Sequence, residues 1–267
     1  MRSLWEVYVQ QFKTTIAVQL QYRASLIIWL IGQILEPLIY IVVWGTVASA
    51  SGGRVGSFTT GEFAAYYIVL MLVNHVTFTW IMWEYEYRIR HGSLSFALLR
   101  PVHPIHADIA DNVSYKLLTM VVMIPTTVVL TIAFRPTFHP IGWAVVAFVP
   151  ALALAFVMRF LIEWSLALAA FWTTRITAIN QMFFVVMLFL SGQIAPLELM
   201  PHPVQVAAAI LPFRWVVSFP VELLLGRLTP TEALTGLGVQ LVWLALGLAI
   251  LKFVWSAGVR QYSAVGS

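Results

Sequence analysis

The stretch Ser25–Ala50, SLIIWLIGQILEPLIYIVVWGTVASA, decides the fold, because it carries a single charged side chain, Glu36, over more than membrane-crossing length. Five more stretches read the same way: Phe63–Trp83, Val113–Phe134, Gly142–Trp172, Ile176–Ser191 and Gly236–Trp255. Each approaches or exceeds the ~20 apolar residues a helix needs to span a bilayer core. The expectation is an all-α membrane protein of six transmembrane helices, forming one domain over residues 1–267. Little chain is left for anything soluble.

Composition agrees. Apolar residues make up 61% of the chain and charged residues 10%, against the roughly 25% charged residues of a globular domain. The net charge of +4 is spread over short loops without a basic run, so nucleic acid is not an expected partner. Zero cysteines exclude disulfides, thiolate metal sites and cysteine catalysis. The polar, mixed Met1–Arg23 does not read as a cleavable signal.

Lys and Arg sort between alternating loops. One side collects Arg2, Lys13, Arg23, Arg88, Arg90, Arg100, Lys116, Arg175, Lys252 and Arg260. The other has Arg54, Arg135, Arg214 and Arg227. The richer side is the expected cytoplasmic side, with both termini on it and the chain in a prokaryotic-type inner membrane. Residues 1–24 alternate apolar and polar side chains at helical spacing, as in an amphipathic helix lying in the interface. Residues 84–112 form the expected cytoplasmic connection. Residues 192–235 lie outside, yet are too apolar for a solvated loop. They read as re-entrant helices near Val204–Ile210 and Phe213–Leu225 between spans five and six; Pro196, Pro201, Pro203, Pro212 and Pro220 argue against a seventh span.

No phosphate-cradling G-x-x-x-x-G-K-[ST] loop and no H-E-x-x-H pair occurs, so neither an ATPase site nor that zinc site is expected here. His103 and His106 share a proline-broken loop with Asp108 and Asp111, which reads as an interfacial polar loop before a metal site. Charges within spans need a reason at ~2.5–3.5 kcal/mol each. Arg159 and Glu163, four apart, fit a structural ion pair. Glu36, just before Pro37, faces a substrate path or bonds to a neighbouring helix. Asn74 and His75 are expected to face protein, with a transport role as the alternative that makes Asn74 a substrate-path candidate beside Glu36 and Phe184. Phe184 and its neighbours line an apolar path or contact lipid. Trp5, Trp29, Trp44, Trp80, Trp83, Trp143, Trp172, Trp215 and Trp255 fall near span ends, where tryptophans anchor helices in the interface.

The richest loop motif is EYEYRIRHGSLSFALLRPVHP, Glu84–Pro104. Gly92 and Ser93 open a short helix with Ser93 as its cap, and Arg100-Pro101 ends it. Apolar Leu94, Phe96, Leu98 and Leu99 within a charged collar suit a groove on a partner. This stretch resembles the cytoplasmic loop of ABC-2-type export permeases, in which a Gly-x-Leu element runs into Leu-Leu-Arg-Pro-Val, here Gly92 to Val102. Phe171-Trp172, Ser191-Gly192, Pro196, Pro201, Leu211-Pro212-Phe213, Pro220 and Gly226 continue the likeness over nearly the whole chain.

The resemblance implies a permease without its own ATPase site, so not an enzyme, working with a cytoplasmic ABC ATPase dimer that binds ATP and Mg. It implies a second permease, identical or homologous, and contact with membrane lipids. It implies ATPase coupling through Gly92, Leu94, Phe96, Leu98, Leu99 and Arg100, and a path between the first, second and fifth spans. The substrate expected is a hydrophobic or amphipathic compound, with organic cations near Glu36 included; lipid or lipid-linked glycan export is the alternative. An ion-coupled carrier using Glu36, Arg159 and Glu163, or an intramembrane lipid enzyme, are the rivals.

Overall fold

A computed structural model describes residues 4–173 and 176–262 of the chain. Arg2 and Arg175, which entered the charge count, lie outside them. The fold is all-helical apart from a two-strand hairpin. Helix α1 (Leu4–Gln21) turns at Tyr22 into α2 (Arg23–Ala50), and the hairpin β1 (Arg54–Val55) and β2 (Phe58–Thr59) follows, pairing Arg54 with Thr59. Helix α3 (Thr60–Thr77) starts on a capping box in which Thr59 and Glu62 satisfy each other's backbone donors.

The span expected over Phe63–Trp83 is broken. Helix α3 stops at Thr77, Phe78 is extended (φ −60°, ψ 142°), and α4 (Ile81–Arg90) resumes the same direction of travel along the sequence. No glycine or proline marks the break. Together α3 and α4 form the bundle's inner post, largely buried on all sides, whereas α2, α6 (Pro104–Phe134) and α12 (Pro230–Gln261) leave most of their surface uncovered. Helix α5 (Leu94–Leu98) sits between α4 and α6, so the connection over residues 84–112 is mostly helical, with α6 starting well before Val113.

Helix α7 (Gly142–Ala167) ends in a 3-10 turn over Leu168–Phe171 and packs along α12. Two glycines let α12 approach its neighbours closely: a Cβ on Gly258 would lie 2.2 Å from Phe171 in the turn after α7, and one on Gly236 2.1 Å from Phe219 on the segment Ser218–Leu224. Helix α8 (Thr177–Leu190) covers 14 residues, about 21 Å, and falls short of the ~30 Å bilayer core. The described residues thus hold five helices of full crossing length plus this shorter apolar one.

After a 3-10 turn at Leu197–Leu199, the chain forms α9 (His202–Ile210), α10 (Pro212–Val216) and α11 (Ser218–Leu224). The second re-entrant helix expected at Phe213–Leu225 is therefore two pieces, divided at Val217 (φ −120°, ψ −64°). The restart places Pro220 in the first turn of α11, where a missing N–H costs nothing. Arg227 ties this region to the hairpin: it pairs with Glu198 (3.1 Å) and Glu62 (3.7 Å) and lies 3.8 Å over the Phe58 ring. Hairpin, α9–α11 and the start of α12 share one end of the bundle. Helix α5, the start of α6 and the end of α12 share the other, where Ser95 bonds Tyr262 (2.9 Å) and the His103 ring packs at a tilt on Trp255 (4.4 Å).

Candidate functional site

The break between α3 and α4 opens a cavity of about 410 Å³ bounded by α2, α3, the Phe78–Trp80 segment and α8, with Arg159 reaching in from α7. Glu36, Asn74 and Phe184, far apart in sequence, meet on its walls. Its apolar wall is aromatic. Trp29 of α2 meets Trp80 edge-on at 4.5 Å, Trp80 contacts Phe78 at 5.2 Å and Trp83 at 4.9 Å, and Trp83 stacks on Phe184 at 5.0 Å. Trp29 and Trp80, expected as interface anchors, line this wall, and Trp83 packs behind it on Trp80 and Phe184. Past the hairpin-facing end of α8, Tyr66, Tyr67 and Trp44 donate hydrogen bonds to the carbonyls of Gly192 and Ile194 at 2.7–2.9 Å, fixing the turn that carries Gln193 over the cavity.

Broken backbone at membrane depth must find partners within the protein. The Phe78 carbonyl accepts from Lys116 Nζ (2.7 Å), and the Phe78 N–H bonds the Asn74 carbonyl (2.8 Å). Lys116, counted above as a loop charge, is thus buried inside the bundle as a backbone staple. From α7, Arg159 donates to Glu163 (2.7 Å), Asn74 (2.7 Å) and Thr77 (3.1 Å), and its guanidinium lies 5.2 Å over Phe78. Thr79 donates to the other Glu163 oxygen. His75 bridges Gln33 of α2 (2.6 Å) and Thr119 of α6 (2.8 Å). Lys116, Arg159, His75 and Thr79 are each bonded to a group on another segment.

Glu36 differs. No hydrogen bond or ion pair reaches its carboxylate among the described residues, and it is exposed to the cavity mouth. A second cavity, about 530 Å³, shares Trp29, Gln33, His75, Phe78 and Trp80 with the first and extends past Glu84 and Asp111 to α1. The two spaces meet at the break, one largely apolar and one polar.

At the α5 end, Asp108 is a buried anchor: it accepts from Arg88 (2.7 Å), Trp164 (2.9 Å) and Tyr85 (3.0 Å). Helix α1 is held to α6 by Gln11 on Asp111 (2.8 Å), by Thr15 on the same carboxylate and by Tyr8 on His106 (3.1 Å). His103 accepts from the Ile105 N–H (3.2 Å), so both histidines have structural partners, and among the described residues no group of three metal-ligating side chains forms. Burial and the neighbouring His106 hold His103 below the usual imidazole range, partly offset by Asp108.

Helix α5 divides the residues predicted for coupling. Leu94 is fully buried against the α4–α7 core, and Leu98 packs beside it. Phe96 (71% exposed) and Leu99 (84%) project outward with Arg100. Gly92 takes φ +69°, the left-handed turn between α4 and α5 that favours glycine. Ser93 does not cap α5; its hydroxyl donates back to the Arg88 carbonyl (3.3 Å). Leu94 is therefore the anchor of the element, and its uncovered face consists of Phe96, Leu99 and Arg100.

A family model described as ABC-2 family transporter protein matches residues 30–266. The chain belongs to this family. It is a multi-pass membrane protein and the permease component of an ABC transporter, a transport subunit of a kind that associates with a separate ABC ATPase. No curated protein matches the chain.

Sequence reasoning about the permease missed Gln33, Trp80, Thr79, Lys116 and Asp108. Lys116 could have been found, because it falls within a membrane-length apolar run where a cation needs an acceptor. Asp108 could not: its role depends on Tyr85, Arg88 and Trp164 converging from two other helices.

Proposed function

We propose that this permease exports a hydrophobic or amphipathic compound, driven by a cytoplasmic ABC ATPase dimer that binds ATP and Mg and presses on α5. The observation that carries this reading is the two-sided α5: an apolar tip of Phe96 and Leu99 beside Arg100 is uncovered, while Leu94 roots it in the bundle. Uncovered apolar tips on a rigid base suit insertion into a partner groove. Force on the tip passes through Asp108 to α4 and the start of α6, and α4 leads to the break that bounds the cavity. ATP-bound and ATP-free partners must favour different arrangements of this path for hydrolysis to move substrate.

In this reading α5 and both termini face the cytoplasm, α8 completes the sixth crossing, and a second permease, identical or homologous, closes the open flank of α2 and α8. A compact aromatic-binding solute is preferred to lipid or lipid-linked glycan because Trp29, Tyr40, Phe78, Trp80 and Phe184 line the cavity. The ATP-driven reading is preferred to an ion-coupled carrier because Arg159 and Glu163 hold each other and their neighbours in a closed set of bonds.

The test is reconstitution with the co-purifying ATPase. Inside-out vesicles should accumulate a hydrophobic dye on adding ATP, and Phe96→Asp should abolish accumulation while the subunits remain folded. Uptake driven by a pH gradient through this chain alone would refute the proposal.

A further inference from the structure

We infer that the 410 Å³ cavity selects lipophilic monocations, with Glu36 as counter-charge and the Trp29, Trp80 and Phe184 rings as the surface that receives the cation's apolar body. The inference rests on the export reading and narrows its substrate class. Three features of the cavity carry it.

The carboxylate of Glu36 has no partner among the described residues, sits within an apolar helix that continues through Pro37, and borders the cavity. A carboxylate at this depth is costly unless something neutralises it. Two side chains capable of carrying positive charge, Arg159 and His75, also line the space, and both are engaged elsewhere: Arg159 by Glu163 and Asn74, His75 by Gln33 and Thr119. The local balance among the lining residues is therefore one uncompensated acid. Trp29 on the same helix, Phe78, Trp80 and Phe184 line the space with Glu36, and their rings belong to a run in mutual contact at 4.5–5.2 Å that Trp83 completes from behind. Aromatic faces attract cations through their quadrupoles, most strongly where water is excluded. An anion would meet both the carboxylate and the negative ring faces. A neutral compound would use the rings and leave Glu36 unpaired.

The experiment uses the purified full-length permease in lipid nanodiscs, without ATPase or nucleotide. Saturable binding of radiolabelled tetraphenylphosphonium is measured and, in separate samples, that of radiolabelled tetraphenylborate, an anion of the same shape. The expected result is saturable binding of the cation, about tenfold weaker in Glu36→Gln, and no saturable binding of the anion. Trp80→Ala, which leaves the carboxylate in place, is expected to weaken cation binding several-fold and checks the ring wall independently. Equal cation affinity in wild type and Glu36→Gln, or saturable binding of tetraphenylborate with matching affinity, would overturn the inference. Because no ATPase is present, the outcomes separate: intact cation binding with no ATP-driven transport removes the exporter reading alone. ATP-driven transport of a neutral dye with no cation binding removes the selectivity alone.

Discussion

Two acidic side chains lie within the membrane-spanning helices, Glu36 on the wall of the cavity and Glu163 behind Arg159, and they have opposite surroundings. Glu163 of α7 is fully buried, bonded by Arg159 and Thr79. Glu36 of α2 has no partner among the described residues and opens to the cavity. Each is a carboxylate in an apolar helix, at a cost that demands compensation. What separates them is the broken post between. The interruption at Phe78–Trp80 frees the Phe78 carbonyl, which Lys116 of α6 meets, while Arg159 and Glu163 of α7 bond the flanking side chains of Asn74, Thr77 and Thr79. Nothing on α2 faces an equivalent need, so its acid is left over. Charge that repairs the fold and charge left available to a ligand can thus be told apart by asking which bonds at the break each one makes.

The largest expected effect falls on the paired side. Glu163→Gln leaves Arg159 buried with its counter-charge gone, and breaking such a pair costs about 3–5 kcal/mol. Thermal unfolding followed by tryptophan fluorescence should show a marked fall in midpoint. Replacing both partners, as Arg159→Met with Glu163→Leu, should recover most of the loss, because no buried charge is then uncompensated. A stable Glu163→Gln protein would dissolve the contrast with Glu36.

Helix α5 repeats the contrast on a smaller scale, with apolar side chains. Leu94→Ala should cost about 2–3 kcal/mol as a cavity-forming change in a packed core. Phe96→Ser, on the exposed tip, should stay within about 0.5 kcal/mol and yet abolish ATP-driven transport. The same midpoint measurement, paired with a vesicle accumulation assay, reads both. If Phe96→Ser unfolds the protein or transports normally, the tip is not a docking surface. Leu98→Asp is a poorer probe, since Leu98 packs against the bundle and its loss mixes the two effects.

Much of this division escaped the sequence for definable reasons. Long apolar runs announce crossing helices because length and composition suffice, and the i, i+4 spacing of Arg159 and Glu163 suffices for their pairing. The break in α3 is silent: Thr77-Phe78-Thr79-Trp80 contains no helix breaker, and its stability comes from Lys116 and Arg159 on helices distant in sequence. Trp29 and Trp80 near span ends fit an interface belt equally well until the break turns them toward each other. Within α5, period and composition mark an apolar element, but which face is rooted depends on where α4 and α7 lie. Residue chemistry was legible; the assignment of a side chain to repair or to recognition needed the neighbours.

The smallest expected effect is the sharpest test of the comparison. Glu36→Gln removes a charge without removing any bond, and the side chain is exposed at the cavity mouth, so nothing in the fold is orphaned. The unfolding midpoint should stay within the change expected of about 0.5 kcal/mol at an exposed site, and a small rise is consistent, because the neutral amide is cheaper to hold at this depth. The same variant should change transport of a cationic dye more than that of a neutral one. A fall in stability as large as that of Glu163→Gln would mean that Glu36 serves the fold after all. An unchanged midpoint with unchanged cation transport would mean that it serves neither. Only stability retained together with cation handling lost fits a carboxylate held ready for a ligand, and that combination is available from one variant and two measurements.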